Sequence, residues 1–268
     1  MSFFMSKTKT VFISAGFALI ALSNGHADEV SSESTYDWTG VYVGGYVGGA
    51  SGADVTSSEP YDNIGPAYWS AYGNNNNNYS TNSSFIGGGT VGYNWQIPTS
   101  NLLIGLEGEY GYLGATGGNI DPNSNVIGNG FDPVVLGFGR VKIGNDYGYG
   151  FVGGRLGYSI DRVLLYVKGG AVFTSIQSNY SDSLSQPSPI SATNKTNNTG
   201  YAIGAGFEYA LPFEWTQNIS VKTEYLYFGI DRNISTTFTD PSGILGSLVN
   251  NTSISGIHTA KIGLNYKF

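Results

Sequence analysis

The sequence predicts an all-β protein: an eight-stranded antiparallel transmembrane β-barrel with short periplasmic turns and four long extracellular loops. Period-two alternation recurs in eight segments of roughly 12 residues, and a tilted membrane strand needs about 9–11. The links between these segments alternate between short and long, which is the outer-membrane barrel pattern. Within the segments the charges fall on the face opposite the larger apolar set. A soluble sandwich turns its charges outward, whereas lipid makes the outward face apolar.

Composition agrees and excludes other classes. The chain has 268 residues with 40 glycines, 14% aromatic residues, 12% charged residues and no cysteine. Charged residues usually make up about 25% of a globular chain. Without cysteine there is no disulfide scaffold and no thiolate metal site. A net charge of −7 argues against nucleic acid as a partner, which needs a basic surface.

Taken in order, residues 1–27 read as a secretory signal. Lys7 and Lys9 form the positive start, an apolar run covers 11–22, and Gly25-His26-Ala27 places small residues before a cleavage at Asp28. Loss of the two lysines takes the net charge from −7 to −9. Residues 28–37 read as a short N-terminal periplasmic segment, and 38–268 as the barrel. The remaining chain has no apolar run long enough for a spanning helix.

The strands are expected at 38–50, 84–96, 102–113, 149–160, 163–176, 199–211, 219–230 and 257–268. The third is the clearest: Leu102, Ile104, Leu106, Tyr110 and Tyr112 face one way, and Leu103, Gly105, Glu107, Glu109 and Gly111 the other. In the first, Val41, Val43 and Val47 compete with Tyr42 and Tyr46 for the outward face. In the fifth, both faces are apolar, and Lys168 placed inward sets the register. Short turns fall at 97–101, 161–162 and 212–218, and long polar loops at 51–83, 114–148, 177–198 and 231–256. The second loop carries alternation over 135–143 that extends the wall above the membrane. If 131–143 instead adds a membrane hairpin, ten strands and a wider bore result.

Nine charged residues take the inward face: Glu107, Glu109, Arg155, Lys168, Glu208, Lys222, Glu224, Lys261 and Lys267. An eight-strand barrel has just enough room for side chains, so these groups are expected to pair and fill it. Trp38, Trp95 and Trp215 lie at periplasmic strand ends and are expected to form an interfacial belt. Trp69, in the first loop, stands apart.

The ending Lys261-x-Gly263-x-x-Tyr266-x-Phe268 resembles the C-terminal signal read by the outer-membrane assembly machinery. Trp38-Thr39-Gly40-Val41-Tyr42-Val43-Gly44-Gly45 resembles the opening strand of the small alphaproteobacterial outer-membrane β-barrel family. Gly88-Gly89-Thr90-Val91-Gly92-Tyr93-Asn94-Trp95-Gln96, Gly154-Arg155-Leu156-Gly157-Tyr158 and Val221-Lys222-Thr223-Glu224-Tyr225-Leu226-Tyr227 resemble later strands of it. That family includes surface antigens, haemin-binding surface proteins and proteins labelled porins. The resemblance covers the strands and none of the long loops. It implies the outer membrane of a Gram-negative bacterium, surrounding lipid and lipopolysaccharide, and the barrel-assembly machinery as a partner during biogenesis. It carries no catalytic residues.

Three functions follow as expectations. The first is a non-enzymatic barrel that anchors its loops for surface integrity or for contact with an extracellular ligand or host. The second is a small passive porin-like channel. The third, which rests on the resemblance, is haem or haemin capture by loop tyrosines such as Tyr61, Tyr68, Tyr72, Tyr79 and Tyr180. No cofactor, metal or catalytic residue is expected. His258 is the one histidine after the signal, and its register turns it outward at the extracellular end.

Overall fold

The computed structural model describes residues 36–58, 61–62, 76–120, 137–144, 148–182, 190–213, 216–239 and 247–268. The expected signal at 1–27, most of the segment 28–37, and Trp69 and Trp215 lie outside the described residues.

Eight long strands close into an antiparallel barrel. They are β1 (Gly40–Ala50), β5 (Ser84–Gln96), β6 (Leu102–Leu113), β9 (Tyr149–Ile160), β10 (Val163–Asp182), β11 (Ile190–Ala210), β12 (Ile219–Gly229) and β15 (Ile257–Lys267). Each pairs with the next in this order, and β15 returns to β1, so the sheet has no free edge in the membrane. Outward positions carry the apolar side chains, with Leu106 as much as 71% exposed. In the first strand Val41, Val43 and Val47 face out and Tyr42 and Tyr46 face in.

The narrow bore selects glycine opposite bulky inward rings. Tyr42 pairs in register with Gly92, and Tyr166 with Gly206. Each ring lies across its partner glycine so closely that an added Cβ would collide with it. Ring over glycine keeps the wall at full packing density where two side chains would not fit. At the periplasmic end, the two-residue turn between β9 and β10 is tight enough to hold Asp161 at φ 50°.

The remaining strands form a collar beyond the membrane. On one side β7 (Ala115–Ile120) and β8 (Gly137–Ile143) continue the wall where β6 and β9 stop. Strand β8 pairs with β10 only over Ile176–Asp182, above the last β9 pair at Thr174. The second-loop hairpin therefore raises the wall, and the membrane ring stays at eight strands. On the other side lie β2 (Asp54–Ser58), β3 (Tyr61–Asp62), β4 (Asn76–Ser80), β13 (Arg232–Thr239) and β14 (Ser247–Ile254). They form a second sheet in the order β13-β14-β2-β4, with β3 on β14. Its ends meet the first arc: Asn82 N–H donates to the Thr116 carbonyl at 2.9 Å, and Asn194 Nδ2 donates to the Ser235 carbonyl at 3.0 Å.

Candidate functional site

The inward residues form three layers. The periplasmic layer is an apolar cluster of Trp38, Leu103, Leu164, Tyr166 and Ala210, with Tyr36 packed against it. The middle layer is ionic. The extracellular layer is apolar again, running from Phe151, Val172, Leu226 and Phe228 in the barrel to Val55, Val141, Ile234 and Ile254 in the collar.

Lys168 is the hub of the ionic layer. Its Nζ lies 2.5 Å from Glu107 Oε1, 2.5 Å from Glu109 Oε1 and 2.9 Å from Glu224 Oε2. Lys261 Nζ bridges Glu109 Oε2 at 2.8 Å and Glu224 Oε1 at 2.7 Å. Arg155 Nη1 pairs with Glu208 Oε2 at 3.2 Å and approaches Glu107 Oε2 at 3.6 Å, while its Nε donates to Asn94 Oδ1 at 2.7 Å. Lys222 Nζ stands 3.8 Å from Glu107 Oε1. The side chains of all eight ions are almost wholly buried.

Neutral groups take up the lone pairs that the ions leave. Tyr42 Oη donates to Glu107 Oε2 at 2.5 Å, Tyr149 Oη to Glu109 Oε2 at 3.0 Å and Tyr166 Oη to Glu224 Oε2 at 3.1 Å. Glu208 accepts from Asn265 Nδ2 at 2.8 Å and from the Ser220 hydroxyl. Arg155 also lies over the Tyr42 ring at 4.5 Å, and Lys261 over the Tyr46 ring at 4.7 Å. A buried charge lacking such partners would be costly, so the network is stable only as a whole.

Two expectations are corrected. Lys267 is not part of the interior. It is half-buried at the periplasmic rim, where its ammonium donates to the Asp37 carbonyl and lies 4.6 Å from the Tyr36 ring centre. Its position on β15 has the inward parity, but the lumen has ended there. Among the described residues the interior then holds four carboxylates and four cations and is neutral by count. Trp38 is not in an interfacial belt. It is only 2% exposed and packs inside, because it shares the parity of Tyr42 and Tyr46. Trp95 faces outward and is exposed.

At the carboxyl end, Lys261 and Gly263 face in and Tyr266 and Phe268 face out. The Tyr266 and Phe268 rings meet edge-on at 5.2 Å, and the Phe268 N–H donates to the Val41 carbonyl at 2.9 Å. Outside the spanning strands, burial raises the Tyr36 hydroxyl to about 12, with the Glu208 and Asp37 carboxylates adding to the effect.

Oxygens of Glu107, Glu109 and Glu224 come within 4.8 Å of one another, a spacing that could hold a metal ion. The Lys168 and Lys261 ammonium groups already sit between them, so the arrangement is an ion-pair cluster. His258 bonds through Nδ1 to the Tyr225 hydroxyl at 2.5 Å on the outer wall, beside the Tyr227 ring at 5.0 Å. That is an aromatic girdle contact, and among the described residues no nucleophile–base–acid relay runs through it. Of the haem candidates, Tyr61, Tyr79 and Tyr180 lie on collar strands, while Tyr68 and Tyr72 lie outside the described residues. A shallow depression lined by Val91, Tyr93, Leu106, Val152 and neighbouring glycines lies on the outer wall and not in the lumen.

Sequence reasoning found the interior ions but missed their neutral partners. Tyr42, Tyr149, Tyr166, Asn94, Ser220 and Asn265 all share the inward parity of the ions on their strands, and that parity was the signal.

Residues 15–268 match the family described as the outer membrane protein beta-barrel domain. The chain is 29% identical over 274 residues to the 31 kDa outer-membrane immunogenic protein of Brucella melitensis, covering 97% of this chain and the whole of that protein. The corresponding Brucella suis protein is equally similar. Among solved structures, the outer membrane protein OprG of Pseudomonas aeruginosa aligns over 86% of this chain and 96% of its own, at 13% identity and a TM-score of 0.49.

Proposed function

Since the chain belongs to the outer membrane protein beta-barrel family and lies in the outer membrane of a Gram-negative bacterium, we propose that it is a non-enzymatic surface protein whose barrel serves as an anchor and whose collar is the working part. One observation carries this reading: the neutral ionic layer is sandwiched between two apolar layers. Water and ions crossing the lumen would have to pass both apolar layers and break the Lys168 and Lys261 pairs between them. This weighs against a passive channel. The related Brucella proteins are named as immunogenic, which fits a chain that presents its collar at the cell surface.

The test is single-channel recording of the refolded mature chain in a planar bilayer. The anchor reading expects no steady conductance. Sizeable, persistent conductance would return the protein to the channel class.

A further inference from the structure

The residues just before β1 turn into the barrel and close its periplasmic mouth. Gly40, the first residue of β1, has φ 144°, a backbone that favours glycine. A Cβ at this position would stand 3.1 Å from the Phe268 carbonyl oxygen. Ahead of it, Trp38 shares an apolar cluster with Leu103 of β6 and with Leu164 and Tyr166 of β10. In the ring, β10 is the strand opposite β1, four places away in either direction. One cluster that includes a residue preceding β1 therefore spans the bore. The Tyr36 ring meets Trp38 edge-on at 4.7 Å.

Among the described residues no ladder holds this wedge. The β1–β5 register begins at Gly40 and the β1–β15 register at Tyr42. Side chains at the rim hold residues 36–39 instead. Trp38 N–H donates to Gln96 Oε1 at 3.2 Å, Gln96 N–H to Thr39 Oγ1 at 3.2 Å, and Thr39 N–H to Asp37 Oδ1 at 2.8 Å. Lys267, the last residue of β15, completes the set. Its ammonium donates to the Asp37 carbonyl and lies over the Tyr36 ring at 4.6 Å. A segment held by a few bonds at an exposed rim opens at lower cost than the strands beside it.

The inner side of the wedge is polar. Among the described residues, the buried side-chain atoms without a hydrogen-bond partner in the protein are Trp38 Nε1, Arg155 Nη2, Lys222 Nζ and Asn265 Oδ1. Three of them lie toward the periplasmic end of the ionic layer. Trp38 belongs to the wedge, the Arg155 guanidinium lies 5.2 Å from the Tyr166 ring, and Asn265 stands two residues before Lys267. Water entering at this end would meet two donors and an acceptor.

We propose that residues 36–39 form a periplasmic stopper, latched by Lys267, that opens while the barrel stays folded and admits water as far as the ionic layer. The extracellular apolar layer stays closed, so opening wets the lumen from one side without making a channel.

The chain has no cysteine, so a single introduced thiol reports access. Leu103→Cys places one in the cluster that the stopper seals, and Val172→Cys places one in the extracellular layer; both positions are buried. The refolded mature barrel is labelled in detergent micelles with a small charged methanethiosulfonate. Lys267→Gln loosens the latch and leaves the cluster intact. It is expected to raise the labelling rate at Leu103→Cys about three- to fivefold. Trp38→Ala is expected to raise it about tenfold. Neither is expected to change the rate at Val172→Cys or the heat-modifiable gel shift of the folded barrel. An unchanged rate in Lys267→Gln would overturn the latch, and an unchanged rate in Trp38→Ala would overturn the stopper. Equal acceleration at Val172→Cys would overturn both, because the whole barrel would then be loosening. If Trp38→Ala does not fold, the result with Lys267→Gln decides.

Discussion

Lys261 of the last strand reaches across the lumen to Glu109 of the third barrel strand, 2.8 Å away and 152 residues apart in sequence. Two strands separate them around the wall, so the contact braces the barrel across its bore and not along its ladder.

The brace makes a prediction about stability. Lys168→Met leaves Glu107, Glu109 and Glu224 with one cation fewer, and breaking a buried pair costs about 3–5 kcal/mol. Lys267→Met at the exposed rim costs about 0–1 kcal/mol. Urea unfolding in lipid vesicles measures both. Equal effects would mean that the interior ions do not act as a network.

The lipid-facing register is tested by arginine substitution. Leu106→Arg places a cation at mid-wall and destabilises by about 2–4 kcal/mol, against about 0–1 kcal/mol near the interface for Gln217→Arg in the periplasmic turn. The yield of folded, heat-modifiable barrel on gels reports the difference.

Ring-over-glycine packing predicts a non-additive pair. Gly92→Ala pushes a methyl group into the Tyr42 ring and costs about 1–3 kcal/mol. In a Tyr42→Ala background the same change is expected to cost less, though the Leu106 carbonyl still crowds the added methyl, and a double-mutant cycle measures the coupling.

The carboxyl-terminal aromatic pair predicts a biogenesis defect. Removal of Phe268 deletes the outward ring beside Tyr266 and one hydrogen bond to Val41. Slower assembly and periplasmic accumulation are expected in pulse-chase fractionation. Normal outer-membrane levels would count against its role as an assembly signal.

The barrel was legible because lipid enforces a strict two-sided code. Leu106 and Glu107 are neighbours in sequence with opposite surroundings, and Leu156 beside Arg155 and Val167 beside Lys168 repeat that contrast. The exceptions have physical causes. Trp38 was placed by the general liking of tryptophan for interfaces, although its parity with Tyr42 puts it inside. Lys267 was placed by parity alone, which does not register where the lumen ends. Of the collar, β8 was legible in the alternation over 135–143; the rest was hidden because water wets its outer side and its strands are built from Asn, Ser and Thr. Its inward residues, such as Val55, Ile234 and Ile254, are too widely diluted by polar neighbours to give a strong pattern.

The order in which the interior ions occur along the chain has a consequence for how the molecule is completed. Seven of the eight lie on β6, β9, β10, β11 and β12, and these leave the carboxylates ahead by one; Lys261, on β15, restores the balance. A barrel without its final strand would leave one interior carboxylate without its counter-charge. Docking of the last strand thus completes the charge balance of the interior together with the hydrogen-bonded ring.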